Sequence, residues 1–109
     1  MSLEQEARAL TDQAERLLQA VRESGTPTDA AAGMVMEYMI DALSDCGEGL
    51  RMLEDRLSRT RRTRSGAELR EFDTALVDLG ICQQTMEGVQ RLLGNARGGL
   101  LRIERGEVS

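Results

Sequence analysis

Cys46 and Cys82 are the only thiols in the sequence, and Glu37, Asp41 and Asp45 form a run of carboxylates at i, i+4 spacing. A thiol can act as a nucleophile, a metal ligand or half of a disulfide. The first role needs a base to make the thiolate, and the chain has no histidine. Two thiols without histidine also leave a structural zinc site short of ligands. The cysteines therefore read as reduced cytosolic thiols, with a redox pair as their candidate chemistry if their Cα atoms lie within about 7 Å. Carboxylates spaced by four share one helix face, but a carboxylate metal site in a bundle uses Glu-x-x-His pairs, which are missing here. The acidic stripe then faces water or a basic surface. Gly47-Glu48-Gly49 and Gly98-Gly99 match no phosphate-cradling loop. No catalytic, cofactor or metal residue is expected, and the chain reads as a non-enzyme.

One more cluster is chemically distinct. Arg59, Arg61, Arg62 and Arg64 put +4 into six residues, between an N-terminal stretch of −7 and a C-terminal stretch of −2. Four arginines can contact phosphates, so nucleic acid or regulatory binding is the alternative function. The acidic flanks and the near-absence of aromatic residues oppose it. The same arginines could meet Glu37, Asp41 and Asp45 of a second copy and steer an antiparallel dimer. All 14 basic residues are Arg, as codon bias in a GC-rich bacterial genome produces.

The elements that position these groups follow from apolar spacing. After Ser2, which with Gln5 can form a capping box, apolar residues Leu3, Ala7, Leu10, Ala14, Leu17 and Val21 alternate steps of four and three. Gly25-Thr26-Pro27 ends that run, and Thr28 or Asp29 can cap the next. The second seam is Ala32, Met36, Met39, Leu43, Cys46, Leu50, Leu53 and Leu57; the third runs from Phe72 through Ala75, Leu79, Cys82, Met86, Val89, Leu93, Ala96 and Leu100 to Ile103. These predict helices over about 3–24, 29–61 and 66–97, the last extending to 105 if Gly98-Gly99 does not stop it. The fold class is all-α: an elongated antiparallel three-helix bundle with a short helix 1 and a long helix 2–helix 3 hairpin, completed by a dimer partner if one is present. Folding about the two loops places the seams in shared layers, such as Leu3, Leu50 and Leu79, or Ala7, Cys46 and Cys82.

At 109 residues the chain is a single domain. No stretch reaches the roughly 18 apolar residues that span a bilayer, and the first residues lack a basic start and apolar core, so a cytoplasmic location is expected. Helix 1 is too short to cover the far end of the hairpin. Leu53, Leu57, Leu69, Phe72 and Leu76 should be half-covered there, and Met34 and Tyr38 widen the apolar arc of helix 2 beyond what one seam needs. In size, acidity and half-covered amphipathic hairpin the chain resembles the small helical chaperones of bacterial secretion systems, which shield an amphipathic client helix. WXG-type secreted hairpins have a comparable length, but their signature Trp is missing. The expected function is a helical protein–protein interaction module, an adaptor or chaperone that is a homodimer or binds a helical partner.

Overall fold

The computed structural model describes residues 2–108. Among them the chain forms three α-helices and no strand: α1 (Leu3–Glu23), α2 (Asp29–Ser58) and α3 (Gly66–Glu104), with a single 3₁₀ turn, Arg61–Thr63, between α2 and α3. The chain is thus all-α, as the heptad spacing predicts.

α1 and α2 begin where a side chain can satisfy their free N–H groups, whereas Ser65 before α3 makes no such cap bond. The Ser2 hydroxyl accepts from the Gln5 N–H at 3.1 Å, and the Ser2 N–H donates to the Gln5 side chain at 3.0 Å, a complete capping box. Thr28 accepts from the Ala31 N–H at 3.1 Å. α3 opens on Gly66 with φ +59, a left-handed conformation in which a Cβ is strained. Gly98-Gly99 does not stop α3. The helix continues to Glu104 and is closed by Gly106 at φ +71, where the Gly106 N–H donates to Ile103 O and the Glu107 N–H to Arg102 O. That pair of bonds is a Schellman ending.

α2 and α3 form the hairpin that gives the molecule its length, 61 × 30 × 20 Å overall. The register places Gly33 against Arg97, Gly47 against Met86, and Ile40 against Gln90. It lies one or two residues from the fold-back read from the loops at Gly33 and Ile40, and four or five residues from it at Gly47. The seam residues differ at alternate positions. Met36, Leu43 and Leu50 of α2, with Phe72, Leu79, Met86, Leu93 and Leu100 of α3, lie inward as expected. Between them sit Gly33, Ile40, Gly47 and Glu54, opposed by Leu76, Gln83, Gln90 and Arg97, all at least half-buried. The expected alternates, including Met39, Cys46, Leu53, Ala75, Cys82, Val89 and Ala96, stand one residue earlier and so about 100° round each helix.

Helix 1 also departs from the expected layers. No residue of α1 is even half-buried, and exposure of its seam rises from 39% at Leu17 through 51% at Leu10 to 67% at Leu3. α1 meets the hairpin at Leu17, beside Val35, Tyr38, Met39 and Ala42 of α2. The expected layers of Leu3 with Leu50 and Leu79, and of Ala7 with Cys46 and Cys82, are therefore not closed within the chain. The physical reason is that α1 rests on the outer side of α2 rather than in the groove between α2 and α3.

Candidate interaction surface

The shift of the seam divides the hairpin into two unlike faces. At 100° per residue, Ser44, Glu48 and Arg51 of α2 and Gln83, Glu87 and Gln90 of α3 fall on one side, where they line a shallow polar groove. Met39, Cys46 and Leu53 of α2 and Ala75, Cys82, Val89 and Ala96 of α3 fall on the other. In antiparallel helices these residues lie on the same flank of the seam, so together they make one continuous apolar face. Met39 and Cys46 are half-buried, and the rest are exposed. Val89 and Ile103 keep 42% and 52% of their surface.

Polar residues hold the seam itself. Gln83 donates to the Glu54 carboxylate across the hairpin, and Gln90 donates to Ile40 O at 3.4 Å. Arg97 reaches the Glu37 carboxylate at 3.3 Å while its stem lies over Gly33. A Cβ at position 33 would meet this stem at 3.8 Å, an ordinary packing contact. These polar seam positions escaped the sequence reading because Gln, Glu, Arg and Gly resemble surface residues. The signal that could have found them is their seven-residue recurrence: Leu69, Leu76, Gln83, Gln90 and Arg97 on α3.

The candidate site residues are placed as follows. Tyr38 and Met34 are exposed, and Leu53 and Leu57 lie at the edge of exposure. Leu69, Phe72 and Leu76 are half-buried. Phe72 is covered by the Arg64 guanidinium, 4.2 Å from the ring centroid, a cation–π contact. The far end of the hairpin is thus partly wrapped by its own turn.

That turn also uses most of the arginine cluster. Arg61 grips Asp73 with two parallel bonds of 2.8 Å, the bidentate geometry that carboxylates favour. The guanidinium holds the Asp73 carboxyl below its ordinary range, chiefly through these hydrogen bonds. Arg64 pairs with Glu68 at 2.7 Å and Arg59 with Asp55 at 2.8 Å. Only Arg62 of the four pairs with no carboxylate among the described residues. On the acidic stripe, Glu37 is engaged by Arg97, whereas Asp41 and Asp45 face outward. Farther along α2, Arg51 pairs with Glu48 and lowers that carboxyl's pKa, mainly by hydrogen bonding.

Cys46 and Cys82 are free thiols, Cys46 half-buried and Cys82 exposed. They share the apolar face but are not packed beneath Ala7, which is itself exposed. Among the described residues, no three Cys, Asp or Glu side chains converge where they could hold a metal ion. Likewise, no helix is long and apolar enough to cross a membrane. No known protein family, curated protein or solved structure matches the chain.

Proposed function

We propose that the chain is a non-enzymatic helical interaction module, a small acidic adaptor or chaperone of the cytoplasm whose hairpin receives an amphipathic helix. The observation that carries this reading is the open apolar face. Cys46, Leu53, Cys82 and Val89 keep heptad spacing along both helices, yet Leu53, Cys82 and Val89 are exposed, and α1 meets this face at Met39 through Leu17. A seam kept apolar at regular spacing is the pattern that a covering helix requires. Leu57, Tyr38 and Met34 extend the apolar surface along α2. Leu69, Phe72 and Leu76 act from beneath, by keeping the far end of the hairpin together.

The phosphate-binding alternative draws little support from the arginine turn. Three of its four guanidinium groups already pair with carboxylates of the same chain, and releasing Arg61 from Asp73 would sacrifice the contact that ties the turn to α3.

A fluorescently labelled peptide of residues 3–23, whose seam is an amphipathic helix of matching period, tests the proposal on the full-length chain. Its anisotropy should saturate with a Kd of about 10 µM or tighter. The double change Leu53→Asp/Val89→Asp should abolish binding, whereas Val77→Asp, on the outer side of α3, should not. No anisotropy change with a chain that light scattering shows to be monomeric refutes the module.

A further inference from the structure

We infer that the apolar face is covered by a second copy of this chain, giving a two-fold symmetric dimer in which each α1 lies in the open groove of the other hairpin. The inference rests on the interaction-module reading and names the occupant.

The chain exposes 8555 Å², whereas a compact monomer of 12.0 kDa exposes about 6,000 Å². The excess of roughly 2,500 Å² per chain falls in the range that obligate dimers remove from water. Nor does the chain have a core of its own. Among the described residues no apolar side chain is buried, and Gly33 is the only buried residue.

α1 touches the hairpin at Leu17, and its seam is more exposed on either side, at 53% for Val21, 51% for Leu10 and 67% for Leu3. The seam of α1 and the apolar face of the hairpin are therefore both largely uncovered. The residues that α1 would offer a groove, Leu3, Ala7 and Leu10, repeat at the same four-three spacing as Cys46, Leu50 and Leu53. The three seams therefore match layer for layer, although α1 does not complete those layers in its own chain. An exchange between two copies completes them twice, as an isologous contact requires. The connecting residues suit an arm held away from its own hairpin: Ser24 and Thr28 are extended, at ψ 149 and 161 respectively, and they flank Gly25 and Pro27.

Cys82 supplies a probe that needs no substitution, because it is exposed in the single chain and covered in the dimer. Light scattering on the full-length protein should give twice 12.0 kDa at micromolar concentration. Over a dilution series, maleimide modification of Cys82 should accelerate roughly tenfold as the dimer dissociates. Leu53→Glu/Val89→Glu and Leu3→Glu/Leu10→Glu should each yield monomers that remain helical by circular dichroism, while Val77→Glu stays dimeric. A mass of 12.0 kDa with a Cys82 rate independent of concentration overturns the inference. If the labelled peptide still binds such a monomer, the second copy is wrong and the module stands; if it does not, both fail. A dimer broken by Val77→Glu but not by Leu53→Glu/Val89→Glu also overturns it, because the contact then uses another face.

Discussion

Arg97 occupies a seam position that an apolar side chain normally takes, and it does so by laying its methylenes over Gly33 and sending its charge to Glu37 at 3.3 Å. Gln83 and Gln90 solve the same problem with hydrogen bonds to Glu54 and to Ile40 O. Such contacts add little net stability but penalise any slip of register that leaves them unmade. Arg61 and Asp73 do this at the turn, where a side chain of the 3₁₀ segment is tied to α3. Asp73 has its pKa lowered by Arg61, so the pair's contribution to stability is fully present above the unfolded aspartate value of about 3.9. It is lost as pH falls through the still lower folded value. Urea midpoints measured from neutral pH downward should therefore lose this contribution only below about pH 4. Asp73→Asn should lower the midpoint at neutral pH and make that acid limb shallower.

Among the elements, α3 carries the most avoidable cost. Gly80 and Gly94 lie inside a 39-residue helix, and a Cβ added at either meets nothing within 4 Å. Gly80→Ala and Gly94→Ala should each stabilise the hairpin by about 1 kcal/mol. For a domain of this size that is a rise in Tm of roughly 4–8 °C, readable by circular dichroism. Gly66→Ala should do the reverse by about 1 kcal/mol, because φ +59 at the head of α3 disfavours any L side chain. The first helix stands apart from this ledge of glycines. Its capping box makes its start self-sufficient, so it can remain helical with its seam uncovered.

Considered as a body, the chain is a rod rather than a globule. Its radius of gyration is 18.6 Å, against about 13 Å for a compact chain of this length. Net charge is −5, and the arginine turn is largely neutralised by its own carboxylates. Filter binding of double-stranded DNA at about 0.15 M salt should accordingly show no retention, and Arg62→Ser should change nothing. A steep fall of binding with salt would instead reveal phosphate contacts and reverse the choice between the two functions.

Helix identity, the bounds of α1 and the start of α2 were legible in the residues because each depends on local chemistry: the Ser2–Gln5 box, Thr28, the break at Gly25-Thr26-Pro27, and a period of three and four. Gly98-Gly99 left the end of α3 open, since two glycines weaken a helix without forbidding it; Gly106 and its Schellman bonds decide the matter. The choice between adjacent seams was not legible. Cys46 and Gly47, Cys82 and Gln83, or Ala96 and Arg97 compete for the same position, and spacing ranks the apolar member first. Only the packed hairpin shows that Gln83, Gln90 and Arg97 face α2, because a two-helix contact covers a narrow arc and favours small or hydrogen-bonded side chains at close approach. Where α1 lies was likewise decided by tertiary structure. Matching periods say that three helices can share layers, but not whether the third helix of a layer comes from the same chain.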